Sequence, residues 1–173
     1  MKKLALLTAC IMFAVPAYGQ SITERAAGAL GVAPSTDAFV SSAAMSDMFE
    51  IESSKLAQQK ANANSKKFAA KMIADHTKTS SELKSLVGSG KVKASLPTAM
   101  DSSHQSKIEK LKGLGGADFD KEYGDMQISA HRDAVSLFER YSKGGDSPAL
   151  KRWAAKTLPH LRAHLKSAEQ LKR

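Results

Sequence analysis

The chain has a single cysteine, Cys10, and few aromatic side chains: one Trp, three Tyr and six Phe in 173 residues. Cys10 falls inside the only long apolar run, Leu4 to Val15, which follows the basic Met1-Lys2-Lys3 and leads into Pro16-Ala17-Tyr18-Gly19. That order is the grammar of a cleaved secretory signal, and the run is too short for a comfortable transmembrane helix. Cleavage after Gly19 is expected, with a periplasmic or secreted product. Leu7-Thr8-Ala9-Cys10 imitates a lipoprotein box, but cutting there would leave Ile11 to Val15 on the wrong side. The mature chain then has no thiol, which excludes disulfides, thiolate catalysis and cysteine-bound metals.

Other signatures are missing too. No Gly-x-Ser-x-Gly elbow occurs, so a hydrolase has no starting point. No glycine-rich loop follows a strand pattern, so nucleotide binding is unsupported. The residues three before His76 and His131 are Ile73 and Ile128 rather than glutamate, which disfavours a ferroxidase-type di-iron centre. His160 and His164 stand four apart without the glutamate that a metalloprotease helix places after its first histidine.

What is present is helical periodicity. Residues 20–35 mix Gly, Ala, Ser and Pro and read as an N-terminal arm, and the folded domain is expected over 36–173. Val40, Ala44, Met48 and Ile51 start a long amphipathic segment that ends near Asn62. Phe68, Met72, Leu83 and Leu86 carry a second, stopped by Gly88-Ser89-Gly90. A short helix from a Ser102/Gln105 capping box follows, then a long one that Asp118 is expected to cap and that ends at Gly144-Gly145. Ser147-Pro148 opens the last, with a kink expected at Pro159. Two helical hairpins joined by one long crossover that carries a short extra helix is the ferritin-like four-helix bundle pattern, an all-α fold.

Phe39-Val40, Glu50 to Ala57, Lys71 to Thr77, Ala117 to Asp120 with Tyr123 and His131, and Thr157 to Leu161 with His164-Leu165 resemble, in this order, the bacterial domain-of-unknown-function 4142 family, over about residues 38–171. The resemblance implies a secreted or periplasmic ferritin-like domain and no particular activity.

Several polar residues fall on or beside the apolar stripes: Glu50, Glu52, His76, His131, His160 and His164. Buried polar groups cost several kcal/mol at order of magnitude unless paired or ligating. Histidines and carboxylates that face one another inside a bundle are a metal-site pattern suited to zinc, iron or copper. Counted along the helices, Glu50 and His76 lie nearly level, as do His131 and His160, with His164 a turn away. A plainer expectation for these histidines is a bond to a backbone carbonyl or to a neighbouring carboxylate such as Asp75.

Two functional readings follow. One is a non-enzymatic, stress-related binding or protective envelope protein; the alternative is a metal-binding, redox-capable ferritin-like protein that uses the residues above. The formal charge of +9 is carried by Lys66-Lys67, Lys91, Lys93, Lys107, Lys110, Lys112, Lys151-Arg152 and Lys172-Arg173 among others, and reads as a solvated basic surface. Anionic envelope components are the expected partners, and nucleic acid is not.

Overall fold

The computed structural model describes residues 31–171, and the expected signal segment, together with residues 20–30 of the arm, lies outside them. All regular structure among the described residues is helical: α1 (Thr36–Lys60), α2 (Ala63–Gly88), α3 (Ser102–Gly113), α4 (Gly116–Gly144) and α5 (Pro148–Gln170).

The helix starts follow local chemistry. Ser35 caps α1 through its hydroxyl, which accepts from the Ala38 N–H at 3.3 Å, and Asn62 caps α2 by accepting from Ser65 at 3.0 Å. Asp101, not Ser102, caps α3: its carboxylate accepts from the His104 N–H at 2.8 Å, and an anion outcompetes a hydroxyl at the positive end of a helix. Gln105 instead donates to the Met100 carbonyl. Nor does Asp118 cap α4, which begins earlier, behind Gly115, with Gly116 in the left-handed region at φ 56° and Asp118 in the first turn. Ser147 caps α5, Pro148 occupies its first turn, and the helix continues through Pro159 to Gln170.

The four long helices form a helical bundle in which each packs on two neighbours, in the order α1, α2, α5, α4. Neighbours run antiparallel. Asp47 meets His76 while Gln58 meets Lys66 across α1 and α2; Glu82 meets Trp153 while Asp75 meets His164 across α2 and α5. The 89–115 crossover runs the length of the bundle, from a bond between Asp37 and the Ser95 N–H to bonds from Lys60 to the Lys112 and Leu114 carbonyls. Its helix α3 packs on α1 and α4.

Two apolar clusters fill the interior. One gathers Phe39, Leu83, Phe138, Tyr141, Leu150 and Trp153; the other gathers Phe49, Phe68, Met72, Leu111, Phe119 and Tyr123. Between them lies a belt of buried polar side chains: Asp47, Glu50, His76, Gln127, His131 and His164.

The first cluster closes on a glycine. Tyr141 stacks on Phe39 with centroids 3.9 Å apart, and a Cβ on Gly145 would sit 2.6 Å from the Tyr141 ring. The fully buried ring has nowhere to retreat. Gly145→Ala is expected to destabilise by about 1–3 kcal/mol, the usual cost of overpacking. Chemical denaturation checks it, and an unchanged midpoint would contradict this packing.

Candidate metal centre

The belt is built where three stripes cross. In α5 the buried positions run Thr157, Leu161, His164, Ala168, alternating steps of four and three, and His164 falls on this inward stripe. His131 stands four after the buried Gln127 on α4 and His76 four after Met72 on α2. The three rings make a near-equilateral triangle, with centroids 5.6, 5.5 and 5.4 Å apart. One ring nitrogen from each lies within 4.8 Å of the others.

Each imidazole is held by its other nitrogen. His76 Nδ1–H donates to Asp47 Oδ1 at 2.7 Å, and Asp47 is fixed in turn by the Thr79 hydroxyl at 2.9 and 3.0 Å and the Ser80 hydroxyl at 3.1 Å. His131 Nδ1–H donates to the Gln127 carbonyl at 2.8 Å. His164 Nε2–H donates to Asp75 Oδ2 at 2.7 Å, and Lys71 holds the same oxygen at 2.6 Å. Since the acceptors are carboxylates and a carbonyl, these nitrogens must carry the protons. That leaves the lone pairs on His76 Nε2, His131 Nε2 and His164 Nδ1, and all three atoms are buried with no hydrogen-bond partner.

Three convergent lone pairs with no donor are a costly arrangement, about 1–3 kcal/mol for each unsatisfied group. A water has two hydrogens and could serve two of them. A proton on His76 gives one N–H, which could serve one of the remaining two. A metal cation accepts all three at once. Two Zn–N bonds of about 2.1 Å allow their nitrogens to stand at most about 4.2 Å apart, so the triangle needs only a small inward rotation of the rings to suit a first-row metal. Imidazoles oriented by carboxylates and a backbone carbonyl are the usual support of such ligands.

Charge points the same way. Asp47 and Glu50 are both buried, Glu50 at 1% exposure, and neither Glu50 oxygen has a hydrogen-bond partner. Glu50 Oε1 lies 3.7 Å from His131 Nδ1. Burial pushes the Glu50 carboxyl up to about 7, against the pull of the His76 charge and the Gln127 amide. His76 is driven down by burial, but its bond to Asp47 and the fields of Glu50, Asp47 and Asp75 outweigh this and raise it above the ordinary imidazole value. Burial and the neighbouring His76 push His131 down to about 3. Burial also takes His164 down to about 4 despite Asp75. Two imidazoles are therefore neutral and ready to ligate at neutral pH, and the fields that Glu50, Asp47 and Asp75 exert on His76 favour positive charge in the belt.

Of the six residues expected from sequence, the structure brings four together: His76, His131 and His164 as the triangle, with Glu50 beside it. His160 is exposed, because it falls one position ahead of the inward Leu161 and off the stripe. Glu52 also falls off its stripe and is partly exposed, 3.9 Å from Lys55, at the edge of a separate surface groove of about 550 Å³ lined by Met48, Met100 and Ile108. The level counted for His160 belongs to His164 in the folded chain. Asp47 was not anticipated, although its place four after Ala43 and three before Glu50 puts it on the inward stripe of α1.

No curated protein and no solved structure matches the chain. The sequence model of the family described as Domain of unknown function (DUF4142) matches residues 21–171, so the chain belongs to that family.

Proposed function

We propose that this is an exported metal-binding protein with a ferritin-like four-helix bundle, which holds one divalent transition-metal ion on His76, His131 and His164. The observation that carries the reading is the set of three buried, unpartnered ring nitrogens, each on an imidazole whose other nitrogen is fixed. The long crossover between two antiparallel helical hairpins supports the ferritin-like description, while the absence of Glu-x-x-His sets the site apart from a di-iron pattern. Nitrogen donors favour zinc, copper or iron over magnesium or calcium. Bound there, the ion would supply Lewis acidity or, if iron or copper, one-electron chemistry. The chain itself supplies ligand orientation, charge balance and a water-poor surround. Export is supported by the Lys2-Lys3, apolar and Ala17-Tyr18-Gly19 sequence.

Calorimetric titration of chelator-treated protein with Zn²⁺ tests this, with one site per chain expected and no saturable heat contradicting it. Asp47 gives a graded variant. Asp47→Asn keeps an acceptor for the His76 N–H but removes the negative charge, and should weaken Zn²⁺ binding by about 10–100-fold, as loss of such supporting groups does elsewhere. Affinity equal to that of the unaltered protein would remove Asp47 from the account.

Binding also takes protons from the site. The metal needs the His76 lone pair and is favoured by ionised Glu50, whereas burial raises Glu50 to about 7, and the bond to Asp47 with the neighbouring carboxylate fields raises His76 against its burial. Affinity should therefore rise with pH through about 7, with proton release on binding at about pH 6. Calorimetry in buffers of different ionisation enthalpy measures the release, and a pH-independent affinity would contradict the arrangement.

A further inference from the structure

The basic surplus is not spread evenly around the bundle. Helices α2 and α5 carry ten Lys and Arg against three Asp and Glu, whereas α1 and α4 carry six against ten. Because α2 packs on α5 and α1 packs on α4, these are opposite sides of one bundle, and α3 packs on the acidic side. The α2/α5 face carries Lys67, Lys71 and Lys78 from one helix and Arg152 and Lys156 from the other, all exposed, while Lys84, one turn past the Ser80 that bonds Asp47, and Lys166, one turn past the Arg162 that pairs with Glu139, stand on its flanks. Among them Lys71 pairs with Asp75 and Lys156 with Glu82, while Lys67, Lys78 and Arg152 make no ion pair among the described residues.

We propose that this α2/α5 face docks on a bilayer rich in anionic phospholipid. Its shape suits a plane: two antiparallel helices, about 39 and 35 Å long at 1.5 Å per residue, lie side by side. Exposed Ala70, Ala74 and Ala163 lie among the cations, and His160 is the one exposed ring there. The only large hydrophobic side chain exposed among the described residues is Val32, which is on neither helix, so attachment is by charge at the headgroups, without insertion. A nucleic-acid strand is a poorer fit. Phe68 and Trp153 are buried, Trp153 with its Nε1–H donated to Glu82, which leaves the His160 imidazole as the one exposed ring of the two helices.

The proposal is independent of the metal site and is tested on chelator-treated protein, purified as the cell processes it. Co-sedimentation is measured with vesicles of phosphatidylcholine alone and of phosphatidylcholine with phosphatidylglycerol. Binding should require the anionic lipid and fall steeply with salt, since exposed charges are screened within about 8 Å at physiological ionic strength. The triple variant Lys67→Glu, Lys78→Glu, Arg152→Glu should lose at least about 100-fold in partitioning, because each basic residue near the surface is worth roughly a factor of five or more. A control with Lys55→Glu, Lys121→Glu and Lys143→Glu on the opposite side should bind as the unaltered protein does. Circular dichroism confirms that both remain helical. Equal binding to neutral vesicles, equal loss in the two triple variants, or binding to duplex DNA without binding to anionic vesicles would each overturn the assignment.

Discussion

His131→Ala should abolish high-affinity metal binding, while His160→Ala leaves it unchanged. His131 sits deepest of the three imidazoles, at 1% exposure, and its Nδ1–H is committed to the Gln127 carbonyl, so its Nε2 has no role in the apo fold beyond facing the other two rings. Removing it leaves two nitrogens on different helices. The loss should exceed the roughly 10–100-fold expected for a supporting group, because a ligand bond goes rather than its orientation. His160 is the matched control: same residue type, same helix, four positions from His164, but exposed and off the stripe. Zn²⁺ titrations of both variants decide it. Equal affinities in the two would dissolve the triangle as a metal site, and a loss confined to His160→Ala would place the site elsewhere.

Metal should also stabilise the fold strongly. The apo belt holds three imidazole nitrogens and a buried carboxyl group without hydrogen-bond partners, each a cost to folding, and an ion that binds the native chain relieves the three nitrogens together. By linkage, free metal at about 1,000 times its dissociation constant adds roughly 4 kcal/mol. For a chain of this size that corresponds to a rise in melting temperature of about 10 °C. The pH dependence of the apo protein follows from the same groups. His131 and His164 are depressed to about 3 and 4, so the unfolded chain binds more protons than the folded one below the ordinary imidazole value, and stability falls as pH drops from about 6.5. Glu50 is raised to about 7, so the folded chain binds more protons there than the unfolded one, and its contribution declines as pH rises from about 4.5 to 7. His76 is raised as well, and its contribution is lost above 6.5. Two depressed imidazoles outweigh one raised carboxyl on the acid side, while above 6.5 only declines remain. Apo stability should therefore peak near pH 6.5. Bound metal should flatten the alkaline decline, because it favours the ionised Glu50 and the neutral His76. Thermal melts with and without Zn²⁺ across that range measure both effects, and coincident melts would contradict them.

The helices were legible in the sequence because their signals are local. Spacings of three and four, Asn62 before α2, Ser147-Pro148 before α5 and the glycines after α2 and α4 each act within a turn or two. Cap identity is less so: Ser102 and Asp118 are sound capping residues, and only the folded chain shows Asp101 and Gly115 taking those places. The candidate centre was partly legible. A histidine on an apolar stripe is visible in one helix at a time, and His76, His131 and His164 stand out that way. Which of His160 and His164 turns inward depends on the rotation of α5 against α2 and α4, a relation between helices distant in sequence. Asp47 escaped because a lone aspartate between Ser46 and Met48 looks like surface until α2 brings His76, Thr79 and Ser80 around it.

Anomalous diffraction from crystals of the zinc-loaded protein, collected across the zinc absorption edge, tests the central claim most directly. The account predicts one strong peak per chain, bonded to His76 Nε2, His131 Nε2 and His164 Nδ1 at about 2.0–2.1 Å. A fully loaded crystal with its peak at surface carboxylates or at His160, and none among the three buried rings, would contradict it.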